Sequence, residues 1–491
     1  MTTYDVVVAG AGPVGLMVAS ELALRGVRVL VAERLAEPDL TIKAGAINVP
    51  TAEALDRRGL MPRVLEAQKA QQAKILEFLK SQGREMPAMP RKPFIGHFGA
   101  IWLDADNLQN HDDPWAAHGP AAHINMLSQQ ELEAILAEHA TALGAEIRRG
   151  VTLTGFAAGS DSVRVELSDG PVEAGWLVGA DGGRSVVRKL AGFDFPGTGP
   201  RITGHQAIVK MSGAEQLRGG WNVTDTGVYV SGPVPGRILT VEFDGPPADR
   251  DTPITAAELQ ASLRAVSGVE VTVEEVLSAT RFTDNARQAA TYRMGRVLLA
   301  GDAAHVHSPF GGQGLNLGIG DAMNLGWKLA AEIRGRAPEG LLDSYTAERH
   351  PIGAWVLDWT RAQVEIMQPG PYNRAIRAVV ADLAATRDGT MYLGTSISGL
   401  RQRYDLGSAN DLVGRGAPEI VLADGRRLAE LLHDGRGVLL GDFTVEDDRL
   451  HVAKTEGTAM LVRPDGIVAW VEGDGDLDSA LRRWFGGVRV G

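Results

Sequence analysis

Two glycine-rich segments that lie far apart in the chain most constrain what it can fold into. The first is DVVVAGAGPVG at Asp5–Gly15, and the second is GRVLLAGDAAHVHSPFGGQGLN at Gly295–Asn316. Each begins with a short apolar run of the kind that forms a buried parallel strand. Ligands of such sheets bind beyond the carboxyl ends of the strands, so both segments are predicted to contribute to one ligand site.

The first segment has the spacing of a dinucleotide-binding loop. Gly10 allows a tight turn, Gly12 lets the backbone approach phosphates, and Gly15 lets the following helix pack close to the strand. The helix directs its positive end at a pyrophosphate, and Glu33, at the end of the next apolar run, is placed to bind ribose hydroxyl groups. An acid there favours NAD or FAD over NADP. The candidate residues are Gly10, Gly12, Pro13, Val14, Gly15, Glu33 and Arg34.

The second segment has the features of a further anion-and-hydroxyl site. Asp302 follows the apolar run Val297–Ala300, and a loop rich in glycine and proline leads into a helix predicted over 315–333. Backbone N–H groups at the start of that helix can face a ligand, although a simple glycine turn is the alternative. Together the two segments predict one bound FAD. The candidate residues here are Gly301, Asp302, Pro309, Gly312, Gly314, Leu315 and Asn316.

A third glycine motif, LVGADGGRSVVRK at Leu177–Lys189, lies between the other two. In this order the three motifs resemble those of class A flavoprotein aromatic hydroxylases, the para-hydroxybenzoate and phenol hydroxylase group. The resemblance implies that the first motif holds the ADP part of FAD, and that GDAAH and GGQG hold its ribityl chain and ring. It also implies that Asp181 and Gly182 contact FAD and the nicotinamide. Arg184 is either a further cofactor contact or a surface ion-pair residue.

The nearest likeness is to bacterial hydroxylases of aromatic polyketides, of the angucycline type. Three stretches carry it: AGFDFPGTGP at Ala191–Pro200, GGQGLNLGIGDAMNLGWKLA at Gly311–Ala330 and LLDSYTAERHPIG at Leu341–Gly353. Related antibiotic-modifying monooxygenases share much of this pattern, so the resemblance does not separate biosynthesis from antibiotic modification.

Two polar residues outside the glycine motifs are carried over from the resemblance. Lys43 stands where the family usually has an arginine near the FAD phosphates, and a solvated surface lysine is the alternative. Gln129 matches a glutamine near the ribityl chain, with Gln130 as the rival position and an ordinary helix start as the alternative.

No side chain is assigned a certain catalytic role, because the chemistry is expected to centre on the flavin. His305 and His307 are weak candidates, and Pro309 is expected beside the reactive edge of the flavin. A histidine can act on a phenol near neutral pH, but packing of the loop is the favoured interpretation of both. Their spacing, with no third ligand, does not predict a metal site.

The predicted fold is α/β, with a Rossmann-like FAD domain, an inserted and mostly antiparallel β substrate domain, and a small C-terminal thioredoxin-like α/β domain. The domains are expected at 1–73, 118–192 and 286–370 for FAD, at 74–117 and 193–285 for the substrate, and at 399–491 for the C-terminal domain, after a helical connection at 371–398. Aromatic residues in the inserted segments are expected to line a substrate cavity, with ordinary core packing as the alternative for each. They are Phe98, Trp102, Trp221 and Tyr229, with Phe94, His97 and Trp115 nearby.

Composition excludes several classes of function. The net charge of −12 does not favour nucleic acid or a membrane surface as a partner, and no apolar run is long enough to cross a bilayer. The chain has no cysteine, so disulfides and dithiol redox chemistry are excluded. We therefore expect a cytoplasmic protein whose electron transfer depends on a bound cofactor, and a homodimer is compatible with it.

The resemblance implies an FAD-dependent, NAD(P)H-consuming monooxygenase that hydroxylates a large aromatic, polyketide-type substrate. In the scheme that the resemblance implies, NAD(P)H reduces the flavin, and O2 adds to the reduced flavin to give a C4a-hydroperoxide. Its distal OH passes to an electron-rich ring carbon, and loss of water returns the oxidised flavin. Three alternatives stay open. They are inactivation of an antibiotic of the rifamycin or tetracycline type, a flavin reductase or oxidase without oxygen insertion, and a flavoprotein that only shields a reactive intermediate.

Overall fold

The computed structural model describes residues 3–81, 95–108, 113–232, 234–249 and 252–487. The first part of the chain contains β1 (Thr3–Ala9), α1 (Pro13–Ala23), β2 (Val29–Glu33), β3 (Ala46–Ile47), α2 (Val49–Asp56), α3 (Met61–Ser81), β4 (His97–Phe98), β5 (Ile101–Trp102), β6 (Asn125–Met126), α4 (Gln129–Ala142), β7 (Glu146–Arg149), β8 (Leu153–Ala158), β9 (Val163–Leu167), β10 (Val172–Gly179) and α5 (Val186–Ala191). The middle part contains β11 (Gly197–Thr198), β12 (Thr203–Ser212), β13 (Gly220–Val223), β14 (Val228–Ser231), β15 (Arg237–Glu242), α6 (Ala256–Ser267), β16 (Thr272–Phe282), β17 (Ala286–Gln288), β18 (Arg293–Met294) and β19 (Val297–Leu299). The last part contains β20 (His305–Val306), α7 (Gln313–Ile333), α8 (Ser344–Met367), α9 (Pro371–Ala384), α10 (Arg387–Ile397), α11 (Leu428–Leu431), β21 (Gly437–Leu440), β22 (Leu450–Ala453), β23 (Met460–Val462), β24 (Val468–Val471) and α12 (Leu477–Phe485).

The central sheet brings distant parts of the chain side by side, in the order β18-β19-β10-β1-β2-β7. Strands β19, β10, β1, β2 and β7 are parallel, while β18 and the β8–β9 hairpin join them in antiparallel fashion. Ala9 lies opposite both Gly179 and Ala32, and Gly179 lies opposite Leu299. Four strands therefore end at the same edge of the sheet, and the prediction of buried parallel strands is confirmed.

Helices α1 and α7 pack closely against each other beside this sheet, because α7 has glycine where α1 approaches. A Cβ at Gly318 would overlap Val14, and a Cβ at Gly326 would overlap Glu21. A larger residue at either glycine would push the two helices apart. The first and second glycine-rich segments, which begin these helices, are thus fixed relative to each other.

A second, antiparallel sheet has the strand order β13-β14-β15-β12-β16, in agreement with the predicted, mostly antiparallel β insertion. Side chains alternate between its two faces. Tyr229 packs on the face covered by α6, with Leu259 and Leu263. Its neighbours Val228 and Val230 pack on the opposite face, with Phe310. This second face therefore adjoins the loop that precedes α7.

The C-terminal part forms a four-stranded sheet, β22-β21-β23-β24, with α12 packed against it. This agrees with the predicted small α/β unit. Arg463 on this side makes buried ion pairs with Glu348 of α8 at 2.8 Å and with Asp465 at 2.5 Å. The helical segment breaks between Met367 and Pro371. The thioredoxin-like character and the exact domain boundaries stay predictions.

None of the helices in the described ranges is long and apolar enough to pass through a membrane.

Candidate functional site

The three glycine motifs meet at the carboxyl edge of the central sheet. A Cβ at Gly301 would lie 2.9 Å from Val14 Cγ2, so the second motif touches the first. A Cβ at Gly10 would overlap the carbonyl oxygen of Ala180, so the third motif touches the first as well. Loops that are far apart in sequence therefore form one continuous wall.

The glycines of the first motif take the conformations that their spacing predicts. Gly10 has a φ of 103°, which is unfavourable for a residue with a Cβ. A Cβ at Gly15 would overlap the carbonyl oxygen of Gly10, so α1 could not approach its own loop with a larger residue there. By contrast, no atom lies within 4 Å of a Cβ built on Gly12. The backbone at Gly12, with Pro13 at the start of α1, thus borders open space.

Glu33 ties the end of β2 to the first motif. Its Oε2 accepts a hydrogen bond from the Ala11 N–H at 2.8 Å, and its Oε1 accepts one from the Leu35 N–H at 2.9 Å. Each carboxylate oxygen has a second lone pair, so the side chain can still accept hydrogen bonds from ligand hydroxyl groups. Arg34 is exposed next to it.

Asp181 in the third motif has one satisfied and one unsatisfied oxygen. Its Oδ2 accepts hydrogen bonds from the N–H groups of Val186 and Val187 at 2.7 and 3.1 Å, at the start of α5. Its Oδ1 is buried and has no hydrogen-bond partner within the described part of the chain. A buried oxygen of this kind is costly unless a ligand or water donates to it. Gly182 follows with a φ of 80°, and Arg184 is exposed.

In the second motif, Gly301 has a φ of 61° and donates its N–H to Asp321 Oδ2 at 3.0 Å. Asp302 is exposed, and its Oδ1 lies 3.9 Å from the position of a Cβ on Gly314, in the first turn of α7. Gly312, the residue before α7, has a φ of 62° and open space where a Cβ would be. The amino end of α7 and the Asp302 carboxylate therefore share one opening.

Of the remaining residues predicted in this loop, one makes hydrogen bonds within the protein and two are partly or fully exposed. Asn316 accepts a hydrogen bond from the Asn48 N–H at 2.9 Å and donates one to the Gly312 carbonyl at 2.7 Å. Its amide thus holds the loop in place. Leu315 is half-buried and Pro309 is exposed.

The two histidines of the second motif make different hydrogen bonds. His305 is fully buried and its Nε2 lies 2.7 Å from Asp321 Oδ2. The Nδ1 of His307 donates to the Ser308 carbonyl at 2.8 Å, and its buried Nε2 has no partner in the described ranges. Burial lowers the pKa of His307. Among the described residues no group of three or more potential ligands could hold a metal ion.

Lys43 and Gln129 make contacts within the protein that sequence reasoning did not predict. Lys43 forms an ion pair with Asp39 at 2.8 Å. Partial burial opposes ionisation of Asp39, but hydrogen bonds from Lys43 and Thr41 lower its pKa to about 2. Gln129 donates to Glu133 Oε1 at 2.8 Å, whereas Gln130 donates to the Thr41 carbonyl. The Gln129 N–H also donates to the Ala44 carbonyl at 2.9 Å. Both positions therefore contact the loop containing Lys43, Gln129 through its backbone and Gln130 through its side chain.

Aromatic side chains form a cluster next to the second motif. The Trp221 ring centroid lies 6.1 Å from that of Phe310 and 4.6 Å from that of His97. Phe282 lies 6.0 Å from Phe310 on another side, and Trp102, which is 53% exposed, lies 5.4 Å from His97. We call His97, Trp102, Trp221, Phe282 and Phe310 the aromatic cluster.

Two of the predicted substrate residues are not part of the aromatic cluster. Tyr229 is in the core beneath α6, on the opposite face of the sheet, so it does not face the aromatic cluster, and its place in a substrate cavity stays a prediction. The ring centroid of Phe98 lies 4.5 Å from that of Trp359 in a separate core, so Phe98 does not join the aromatic cluster either. Phe94 lies outside the described residues.

Sequence reasoning missed Phe310, Phe282 and Asp321. Phe310 follows Pro309 directly within the second motif, and this position was a signal that could have been used. Phe282 and Asp321 carried no such signal, because their roles depend on which elements pack together.

Comparisons with known families agree with this geometry. The chain matches the FAD binding domain family over residues 3–360 and the C-terminal domain family of aromatic-ring hydroxylases over residues 410–487. An FAD-binding sheet joined to a hydroxylase C-terminal domain defines a class of flavin-dependent oxygenases. The chain belongs to this FAD-binding aromatic-ring hydroxylase family, and it is an enzyme, as the resemblance implied.

Three similar proteins show the range of this family. A rifampicin monooxygenase of Streptomyces venezuelae is 40% identical, with 99% of this chain and all of that protein covered. The crystal structure of CabE, an aromatic hydroxylase from angucycline biosynthesis, is 35% identical with a TM-score of 0.83, covering 99% of this chain and 100% of that one. A dialkyldecalin synthase of Streptomyces rugosporus is 37% identical, with 98% of both chains covered.

Proposed function

We propose that this protein is an FAD-dependent, NAD(P)H-consuming monooxygenase that hydroxylates a large aromatic substrate of the polyketide type. The observation that carries the proposal is the meeting of three cofactor-type loops beside the aromatic cluster. The monooxygenases among its relatives, across biosynthesis and antibiotic modification, support the same chemistry.

The residues around the three loops fit FAD. Open space at Gly12 and Gly312 leaves room for a ligand against the backbone, and the unsatisfied Oδ1 of Asp181 can accept a hydrogen bond from it. In the proposed arrangement the ADP part lies along the first motif, with its ribose hydroxyl groups at Glu33. Asp302 and the N–H groups at the start of α7 would hold the ribityl chain and ring. Bound FAD supplies the electron transfer and oxygen activation that no side chain can perform.

The protein contributes orientation, charge stabilisation and exclusion of water. The positive end of the α7 dipole, with N–H groups after Gly312, would stabilise negative charge on a cofactor bound there. The aromatic cluster provides an apolar surface that removes water from the substrate and holds its ring near the loop at Phe310. Arg184 and Asp181 stay proposed contacts for FAD and for a nicotinamide that binds only transiently.

We propose two main classes of substrate. One is a polycyclic intermediate, as the angucycline hydroxylase suggests, and the other is a finished antibiotic, as the rifampicin monooxygenase suggests. The dialkyldecalin synthase among the relatives adds a candidate of another class, the formation of a ring system such as a dialkyldecalin. A flavin reductase or oxidase without oxygen insertion is a further candidate.

The test is oxygen-isotope labelling with the FAD-loaded enzyme. We expect NAD(P)H consumption to rise when a polycyclic phenol or a rifamycin is added, and one atom from 18O2 to appear in the product. The control is the same enzyme without aromatic substrate, in which consumption should be slow. Cyclised or unlabelled product with no NAD(P)H consumption would refute the monooxygenase proposal in favour of the ring-forming candidate. NAD(P)H consumption without label in any matched product would favour the reductase or oxidase.

Three broader features are proposed on the same basis. The enzyme acts in the cytoplasm, where NAD(P)H is available, and without nucleic acid or membrane partners. It is compatible with a homodimer. Its FAD domain is assembled from the three separated stretches named above, with the substrate domain inserted between them and the C-terminal domain in a structural role.

A further inference from the structure

The β4–β5 hairpin contains an unusual turn. Its two central residues, Gly99 and Ala100, have φ values of 51° and 64°. Such a turn suits the twist of a hairpin, but glycine or asparagine is normally required at these positions. Ala100 is the one non-glycine residue with a positive φ in the described part of the chain. Strained backbone of this kind persists where surrounding contacts hold it, and it is concentrated at functional sites.

Contacts with the second motif hold this turn in place. Gln363 of α8 accepts the Gly99 N–H at 3.1 Å and donates to the Phe310 carbonyl at 3.4 Å. Ala100 itself packs in the same core as Phe310, with Val364 beside it. The hairpin is therefore docked on the loop that we assign to the flavin ring, and its position depends on that loop.

The turn also determines which nitrogen of His97 carries the proton. The Ala100 N–H donates to His97 Nδ1 at 3.2 Å, so Nδ1 is an acceptor and the proton of the neutral ring is on Nε2. Burial, and then the charge of Arg377, lower the pKa of His97 to about 4. His97 is thus a neutral N–H donor between the rings of Trp102 and Trp221.

We propose that His97 positions the substrate by donating a hydrogen bond from Nε2 to an oxygen on an aromatic ring that stacks in the aromatic cluster. The inference rests on the proposed function and narrows its substrate class to planar polycyclic compounds with a ring carbonyl or phenol oxygen. The rings beside His97 supply stacking that tolerates many ring systems, whereas the single donor selects for the oxygen. His97 acts here as a positioning residue and not as a base, because Nδ1 is occupied by the backbone and Nε2 already carries a proton.

The experiment measures binding of two matched probes to the FAD-loaded protein. Anthraquinone-2-sulfonate carries ring carbonyls, and anthracene-2-sulfonate has the same fused three-ring skeleton without them. Perturbation of the flavin absorbance reports the Kd of each probe. The variants are His97→Phe, which keeps an aromatic ring without the donor, and His97→Gln, which keeps a donor. His123→Phe changes an exposed histidine and serves as the control.

We expect His97→Phe to weaken binding of the quinone roughly tenfold and to leave the binding of the hydrocarbon within twofold. His97→Gln should restore most of the lost affinity, and His123→Phe should change neither Kd. Equal losses for both probes would assign His97 to packing alone and overturn the inference, as would unchanged quinone binding. Failure of the unmodified protein to retain FAD would instead overturn the proposed function together with the inference that rests on it.

Discussion

Asp321 offers the sharpest test of how the cofactor loop is held. Its carboxylate accepts hydrogen bonds from the Gly301 N–H at 3.0 Å and from His305 Nε2 and Arg349 Nε, each at 2.7 Å. The side chains of Asp321, His305 and Arg349 are each at most 1% exposed. Burial opposes ionisation of Asp321, but attraction to His305 and Arg349 outweighs it and lowers the pKa of the carboxyl group. Asp321→Asn keeps the shape, removes the charge, and turns an N–H2 group toward at least one of these donors.

Removing one partner of a buried ion pair costs about 3–5 kcal/mol of stability. Since the asparagine oxygen still accepts one hydrogen bond, we expect the free energy of unfolding to fall by about 3 kcal/mol, the lower end of this range. Urea unfolding followed by tryptophan fluorescence measures it. In a double-mutant cycle, Arg349→Met should lower the free energy of unfolding by at least about 1 kcal/mol less in the Asp321→Asn protein than in the unmodified protein, because the two side chains interact.

The matched control is Asp343→Asn, which removes an ion pair with Arg293 that is largely open to solvent. Its cost should stay below about 1 kcal/mol. The reasoning fails if Asp321→Asn costs no more than this control, or if the effects of Asp321→Asn and Arg349→Met simply add. We also expect Asp321→Asn to retain less FAD, since the Gly301 loop loses its anchor.

Two further predictions concern pH and cofactor affinity. The pKa of His97 falls from an ordinary 6.5 to about 4 on folding, so the unfolded chain binds more protons between these values and stability is lost as pH falls through them. Between pH 7 and pH 5 the free energy of unfolding, measured with urea, should fall by about 2 kcal/mol more in the unmodified protein than in His97→Phe. Parallel pH profiles of the two proteins would contradict the assignment of His97 as neutral. Asp302→Ala should weaken FAD binding by about 1–3 kcal/mol, measured by titration of the apoprotein, because a hydroxyl partner is lost. Asp302→Asn should retain most of the affinity, and equal affinity in all three proteins would remove Asp302 from the site.

Local pattern was enough to predict the first cofactor loop. The turn at Gly10 and the close helix start at Gly15 involve residues only a few positions apart, although Gly10 also lies against Ala180 of the third motif. The apolar runs before each motif predicted buried parallel strands for the same reason, since a strand covered on both faces needs apolar residues throughout. The family resemblance was carried by these motifs, and the family comparison confirmed it.

The tertiary structure alone decided how the parts meet. The side chain of Gln130, and not that of Gln129, reaches the loop at Thr41, because adjacent helical residues point about 100° apart and only packing shows which side faces the loop. Tyr229 lies on the far face of its sheet because side chains alternate, and sequence does not show which face α6 covers. Likewise His97, Trp221 and Phe310 come from three distant segments, so no local spacing could join them. The sequence by itself determined the loops that can hold FAD, and only the packing of sheet on helix decided which side chains surround these loops.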